Sequence, residues 1–326
     1  RNLMLKFKEY ALTFFAILFS TLVALAFCEI VLRVKHNFIP HYDIEMGKYA
    51  KTLKVKVLNK KINHIHKKNE STILQKVLIT TNSNGQRNKE INNDILESYD
   101  RKFLIIGSSI TLGWGVEQSK TFSSRLNDIS KEKGKNWIFI NGGIGNYNTE
   151  RYVNNYFENW IDLEVTDIII NFFVNDTEVL TNKKTNFLVK HSHFAVVVWK
   201  LINSYKSSLN KENLVNYYEK LYEDDFTGYQ IAKDNLIKLN KHCKIKKINC
   251  YLINMPDIHQ LKPYKLKFIN NKMSNFSKSI DLRYFDLLST LQSPEEKKFW
   301  NKYNDPHPNE YAHNLIAKSI FKKLNK

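Results

Sequence analysis

Four short apolar runs, separated by longer amphipathic segments, constrain the fold of this chain more than any other feature. The runs cover residues 103–106, 137–140, 168–173 and 248–253, and helical segments lie around 122–129, 150–160 and 211–241. Strands that alternate with helices form parallel sheets covered on both faces. The sequence therefore predicts an α/β fold with a ligand site at the carboxyl edge of the sheet.

Composition narrows the class of protein. Hydrophobic residues make up 43% of the 326-residue chain, which is ample for a packed core. The formal net charge is +18, yet the lysines are spread along the sequence and no nucleic-acid-binding motif accompanies them. We expect a solvated lysine-rich surface and no nucleic-acid partner, with attraction to anionic lipid or acidic glycan as the alternative.

An uncharged apolar run extends from Tyr10 to Cys28. Its nineteen residues match the roughly twenty that a transmembrane helix needs. Lys6 and Lys8 precede it, which favours a cytoplasmic position for the basic leader. We predict that residues 1–35 anchor the chain in a membrane and hold the rest outside the cytoplasm, with a cleaved signal peptide as the alternative.

The segment between the anchor and the first predicted strand is polar and rich in lysine. We predict an extended arm or linker at residues 36–98, with a possible added strand at 77–81, before a main domain at 99–326. Cys243 and Cys250 are close enough in sequence to bridge outside the cytoplasm, but we do not expect that disulfide. No metal-ligand pattern is present, so we expect neither a metal nor a cofactor.

Polar motifs follow three of the predicted strands. Ser109 begins a helix after the first strand, where free backbone N–H groups stabilise an oxyanion, although an isolated serine there is more often a cap. The glycine-rich loop 141–149 follows the second strand, and its backbone can approach a ligand closely. Asn175 follows the third strand, where its amide can donate to a developing negative charge, with a helix cap as the alternative.

A histidine lies between two prolines before the last helix. The prolines at 306 and 308 fix His307 in a rigid loop, and Asp305 stands two residues earlier. A neighbouring carboxylate holds a histidine in one tautomer and makes it a better base for a serine hydroxyl. A single histidine in a loop is more often exposed and without a catalytic role. We therefore consider His307 as a base only together with the other three motifs.

Taken in order, these four segments resemble the SGNH/GDSL hydrolase family, whose conserved blocks supply Ser, Gly, Asn and His. The resemblance covers residues 99–326, and the anchor and residues 79–87 also resemble membrane-anchored bacterial members. It implies a three-layer α/β/α, flavodoxin-like SGNH fold. It also implies a serine esterase in which Ser109 is the nucleophile, His307 the base and Asp305 its support, and in which Ser109, Gly145 or Asn146, and Asn175 hold the oxyanion.

Three positions depart from the family pattern. Ser108 replaces the usual Asp beside the nucleophile, and the oxyanion glycine falls closest to Asn146, which tolerates a left-handed conformation. The family's Asp falls at Asn304, so either Asp305 orients His307 or the site works as a dyad.

The substrate predicted from the resemblance is an acyl ester, most simply an O-acetyl ester, of an envelope glycan, lipid or small molecule. Two alternatives stay open. One is an O-acyltransferase of the same fold that modifies a cell-envelope polysaccharide. The other is a catalytically silent protein that uses the fold to bind glycan or a partner.

Overall fold

The computed structural model describes residues 2–181, 186–209, 213–291, 293, 295–302 and 305–325. The helices in these ranges are α1 Asn2–Phe38, α2 Tyr42–Thr52, α3 Asn93–Glu97, α4 Ser109–Leu112, α5 Phe122–Glu132, α6 Thr149–Asn155, α7 Phe187–His191, α8 His193–Leu209, α9 Leu214–Leu221, α10 Thr227–Lys246, α11 Lys267–Ser279 and α12 Glu310–Leu324. The strands are β1 Lys54–Lys56, β2 His64–His66, β3 Ser71–Leu74, β4 Val77–Thr80, β5 Arg101–Gly107, β6 Trp137–Gly143, β7 Asp167–Phe173, β8 Asn249–Met255, β9 Arg283–Asp286, β10 Trp300–Lys302 and β11 Asp305–Pro308.

A parallel sheet of five strands, in the order β6-β5-β7-β8-β9, forms the centre of the fold. Alternate side chains of β5 enter two separate cores, Leu104 and Ile106 on one face and Phe103 and Ile105 on the other. Helices α6, α10 and α11 cover the first face, and α5 and α12 cover the second. The predicted three-layer α/β/α fold is confirmed, and its strand order is the flavodoxin-like one.

Two local features differ from the sequence-based expectation. β9 is a fifth strand that no apolar run marks, because its four side chains at the sheet edge are only partly buried or exposed. His307 lies in β11, which pairs with β10 in an antiparallel hairpin, rather than in a loop. Both elements are fixed by pairing with a neighbouring strand, which local sequence does not report.

The chain divides into two compact units. The helical unit comprises Arg1–Lys48 and Lys183–Glu212, and the sheet unit comprises Tyr49–Asn182 and Asn213–Lys326. This division differs from an extended arm over residues 36–98, because from Tyr49 onward that segment belongs to the sheet unit. Its hairpins β1–β2 and β3–β4 bury Ile62 and Ile79 completely. The buried residues of this segment are few and are separated by exposed lysines, which explains why its composition resembles that of a linker.

Two further expectations concern the disulfide and the membrane anchor. Contrary to the prediction, Cys243 and Cys250 are joined by a disulfide, since α10 ends in a left-handed turn at Lys247 that brings their Cα atoms to 6.2 Å. Within the described residues, one helix, Lys6–Phe38, is long and apolar enough to cross a membrane. Its apolar side chains are exposed throughout the predicted span.

Candidate active site

Ser109 begins α4 just after β5, which lies between the edge strand β6 and the central strand β7. β5 pairs with β6 on one side and β7 on the other, and Gly107 is in register with both Gly143 and Asn171. Ser109 therefore stands where the strand order reverses, which is the usual ligand position in open α/β sheets. A Cβ at Gly143 would lie 2.1 Å from the backbone nitrogen of Leu112, so the end of β6 touches α4 only because this residue is glycine.

The structure brings Ser109, His307 and Asp305 together in one hydrogen-bonded series. Nε2 of His307 lies 2.9 Å from Oγ of Ser109, although the two residues are 198 positions apart. Nδ1 of His307 lies 2.5 Å from Oδ1 of Asp305. Because the carboxylate accepts at Nδ1, that nitrogen carries the proton and Nε2 can accept from the serine hydroxyl. Asn304, the other candidate support, lies outside the described residues.

The surroundings of Asp305 keep it charged and His307 in place. Asp305 is 4% exposed. Burial raises its pKa, but hydrogen bonds from His307 outweigh burial and leave the pKa below its ordinary value. The turn after α4 packs directly on the β10–β11 hairpin at Gly115, where φ is +74° and a Cβ would lie 1.9 Å from Nδ2 of Asn301. The turn that carries the serine and the hairpin that carries the histidine are thus in direct contact.

The loop after β6 contains both backbone groups considered as oxyanion donors, and the structure distinguishes them. The N–H of Gly145 donates to the hydroxyl of Tyr49 at 2.8 Å. Asn146 is exposed and adopts the left-handed conformation, with φ of 65°, that the sequence led us to expect. Lys54 donates to its side-chain oxygen at 2.9 Å and Arg151 to its carbonyl at 2.8 Å. Gly145 is therefore engaged within the protein, whereas Asn146 faces outward.

A series of buried hydrogen bonds through Tyr49 and His66 orients the backbone N–H of Gly145. The hydroxyl of Tyr49 lies 2.6 Å from Nε2 of His66, and Nδ1 of His66 lies 3.0 Å from the carbonyl of Gly85. Since that carbonyl only accepts, Nδ1 carries the proton and Nε2 accepts from Tyr49. Burial lowers the pKa of His66 to about 3, so the ring is neutral and the series keeps one direction.

His64 forms a hydrogen bond with the backbone carbonyl of Gly145. Its Nε2 lies 3.0 Å from the carbonyl oxygen of Gly145, and burial is the main cause that lowers its pKa to about 2. A neutral Nε2–H therefore donates to Gly145. Because a trans peptide is planar, a carbonyl turned toward His64 directs the N–H of Asn146 to the opposite side.

Sequence reasoning did not assign roles to Tyr49, His64, His66 or Arg87. Arg87 is 1% exposed, and its guanidinium donates to the carbonyls of Leu112 at 2.9 Å and of Gly113 at 2.8 Å. It therefore binds the end of the helix that begins with the serine. The signal available in the sequence was the resemblance of residues 79–87 to anchored family members, which marked Arg87 without giving its contact.

Asn175 lies at the carboxyl end of β7, the strand next to the one that leads to Ser109. No helix begins there: residues 174–177 form a turn, so the helix-cap alternative does not hold. The next residue, Asp176, is buried and accepts from the hydroxyl of Tyr152 at 2.9 Å and the N–H of Phe173 at 3.2 Å. Burial raises its pKa to about 8. A largely neutral carboxyl thus holds the turn that presents Asn175.

Comparison with known proteins shows similarity of structure only. No family model matches the chain, and no curated protein matches it. Many of the solved structures that match are GDSL hydrolases. These belong to the family that the sequence motifs resemble.

Three of these structures illustrate the extent of the similarity. A protein described as lipolytic and of the G-D-S-L family, from Desulfitobacterium hafniense, is 10% identical, with a TM-score of 0.45 over 68% of this chain and 99% of its own. A lipase/acylhydrolase from Enterococcus faecalis is 15% identical, with a TM-score of 0.45 over 69% and 95%. A two-domain esterase active on acetylated mannans is 13% identical, with a TM-score of 0.45 over 71% and 52%.

Proposed function

We propose that this chain is a serine ester hydrolase of the SGNH/GDSL type that works through an acyl-enzyme. The observation that carries the proposal is the hydrogen-bonded series Ser109–His307–Asp305 at the point where the strand order reverses. A nucleophile, a base and a group that orients the base are the parts that acyl transfer needs. Their convergence from positions 198 residues apart along the chain favours a catalytic role over a structural one.

In the proposed reaction, Oγ of Ser109 attacks the acyl carbonyl while Nε2 of His307 takes the hydroxyl proton. The charged Asp305 stabilises the imidazolium that forms. The tetrahedral oxyanion accepts from the N–H of Ser109, the N–H of Asn146 and the amide of Asn175. The intermediate then expels the alcohol, which receives the proton from His307. Water, deprotonated by the same imidazole, releases the acid from Ser109.

Asn146 is preferred to Gly145 as the second backbone donor. The Gly145 N–H already donates to Tyr49, and breaking that buried hydrogen bond would leave a polar group unsatisfied at a cost of about 1–3 kcal/mol. The N–H of Asn146 points away from His64, because His64 donates a hydrogen bond to the carbonyl of Gly145 in the same peptide group. The donor that needs no rearrangement stabilises the transition state at the lowest cost.

We propose further that the substrate is an O-acyl, most simply O-acetyl, ester of an envelope glycan or lipid, and that α1 anchors the enzyme with its sheet unit outside the cytoplasm. The exposed apolar helix Lys6–Phe38 supports the anchor. A disulfide between Cys243 and Cys250 fits an oxidising compartment. The net charge of +18 suits an acidic polymer or an anionic membrane surface.

The test is hydrolysis of p-nitrophenyl acetate, followed by a panel of acetylated glycans and short-chain esters. We expect turnover by the wild-type chain and none above background with Ser109→Ala, whose circular dichroism should match wild type. Ser108→Ala is the matched control, since the neighbouring serine makes no contact with His307 in the proposed reaction. Equal activity in Ser109→Ala would contradict the proposal, and transfer of labelled acetyl to a glycan acceptor would identify a transferase instead.

A further inference from the structure

The helical unit contains a second apolar helix that is attached to α1 at one residue. The carboxylate of Glu29 accepts from the N–H of His193 at 3.0 Å, from the N–H of Phe194 at 2.8 Å and from the hydroxyl of Ser192 at 2.9 Å. The two N–H groups belong to the first turn of α8, where backbone N–H groups have no partner within the helix. Arg33 adds a hydrogen bond to the carbonyl of His191 at 3.1 Å. The start of α8 is therefore fixed to α1 at the level of Glu29.

Glu29 is the first charged residue after the uncharged run that ends at Cys28. If α1 spans the membrane as proposed, a carboxylate at this position lies at the boundary between hydrocarbon and water, because charge within the hydrocarbon is costly. The hydrogen bonds to Glu29 then place the first turn of α8 at the same boundary. The position of α8 thus follows from the position of the anchor.

The face of α8 that is not packed within the unit is apolar. Val196 is 5% exposed, and the stripe formed by Phe194, Val198, Leu201 and Tyr205, at spacing i, i+4, i+7 and i+11, lies on the opposite side of the helix. Leu201 is 64% exposed and Tyr205 is 67% exposed. Ile202, 49% exposed, borders this stripe, and Trp199, 48% exposed, lies between Ile202 and the side of Val196. An apolar face of this kind needs a partner.

Charge identifies the partner. Residues 187–209 include no Asp or Glu, whereas Lys190, Lys200 and Lys206 are interspersed with the apolar side chains, and Lys200 also lies 3.3 Å from the carboxylate of Asp43. α7 continues the same character, with Phe187 72% exposed and Leu188 62% exposed. A helix that combines an apolar face, a Trp and Tyr, and basic residues without acidic ones matches the surface of a membrane with anionic headgroups.

We propose that α7 and α8 form an interfacial element that lies in the headgroup region of an anionic phospholipid membrane beside α1. The apolar stripe of α8 enters the boundary between headgroups and acyl chains, and Lys206 meets the lipid phosphates. This inference rests on the proposed membrane span of α1 but not on the esterase activity. It gives the protein a second membrane attachment, contributed by a segment that begins 149 positions after the end of α1.

The full chain in nanodiscs that contain phosphatidylglycerol, with an environment-sensitive fluorophore on a single cysteine, tests the proposal. In a Cys28→Ser background, Leu201→Cys places the label on the apolar stripe, and Asn203→Cys places a matched label on the opposite face of the same helix. In a separate preparation, native Cys28 carries the label and reports the anchor. Each sample is measured with and without lipids that carry a quencher at the shallow acyl position.

We expect a blue-shifted emission at position 201 and about a twofold loss of it with the quencher lipid, with little change at position 203. Replacement of phosphatidylglycerol by phosphatidylcholine should weaken the quenching at 201. Equal, unquenched emission at 201 and 203, with Cys28 quenched, would overturn the interfacial proposal and leave the anchor intact. Emission at 201 that is blue-shifted but unquenched would show a protein partner in place of lipid, and an unquenched Cys28 would reject the span on which the inference rests.

Discussion

Single residues decide whether this site works, and Asp305 is the clearest case. Its carboxylate is buried, yet its hydrogen bonds to His307 keep its pKa below the ordinary value. A buried charge persists only where a partner compensates for lost solvation. The partner here is the ring that would carry the positive charge during acyl transfer, so the same contact serves stability and the proposed chemistry.

Asp305→Asn should lower kcat by about 10²- to 10⁴-fold and leave KM nearly unchanged, because the amide holds His307 in the wrong tautomer without altering the substrate pocket. Steady-state hydrolysis of p-nitrophenyl acetate gives both constants. Asp286→Asn, a change of the same kind at the far edge strand β9, is the control and should not affect kcat. A kcat for Asp305→Asn within twofold of wild type would indicate a Ser–His dyad.

Asp176 should make stability depend on pH with the opposite sign to an ion-paired carboxylate. Burial raises its pKa from 3.8 to about 8 in the folded chain. Between these values the unfolded chain has released the proton and the folded chain has kept it, so this residue's stabilising contribution is complete below about pH 4 and is lost as pH rises toward 8.

Asp176→Asn keeps a neutral side chain of the same shape and removes this dependence. The free energy of unfolding of the variant relative to wild type should therefore rise by about 1.4 kcal/mol per pH unit between pH 5 and 8. Urea unfolding at several pH values measures the difference. A constant difference across this range would show that Asp176 is ionised in the folded chain.

Among the elements, α2 and the β1–β2 hairpin orient the backbone of the loop after β6, although they are distant from it in sequence. Tyr49 in α2 accepts from the N–H of Gly145, and His64 in β2 donates to its carbonyl, which sets the orientation of the Asn146 N–H. Neither α2 nor the β1–β2 hairpin contributes a group to the proposed reaction itself. Their effect on catalysis would pass through the backbone of one residue.

His64→Gln and His64→Leu separate this positioning role from simple packing. Glutamine can place a donor near the position of Nε2, whereas leucine fills the space without one. We expect His64→Leu to lose about 10- to 100-fold in kcat with KM little changed, and His64→Gln to recover most of it. Thermal unfolding of both variants gives the control. Equal kcat values for the two variants at equal stability would mean that the hydrogen bond to Gly145 does not orient the donor.

Elements differed in how well the sequence predicted them, for physical reasons. The strands around Leu104 and Ile170 are buried on both faces, so each appears as a continuous apolar run. The last helix, Glu310–Leu324, follows an amphipathic pattern that the local sequence carries by itself. β9 and the hairpins before residue 99 depend on contacts with distant residues, and local patterns carry little of that information.

For the whole molecule, the candidate site brings together residues that are far apart in the sequence. Ser109 and Asn175 were singled out because each follows an apolar strand, and His307 because two prolines and an Asp flank it in the sequence. The supporting residues Arg87 and His64 were not, because their contacts are with backbone carbonyls that fold against them from other parts of the chain. The proposed roles of all these residues therefore rest on one spatial relation between Ser109 and His307.

Reaction of the intact chain with a fluorophosphonate, followed by peptide mass spectrometry, tests that relation most directly. Such reagents modify a serine whose hydroxyl is activated by a neighbouring base. We predict a single adduct on Ser109, absent from Ser109→Ala and formed at least about 100-fold more slowly in His307→Ala. An unmodified wild-type chain, or an adduct that forms on Ser109 at the same rate without His307, would contradict the proposed catalytic site.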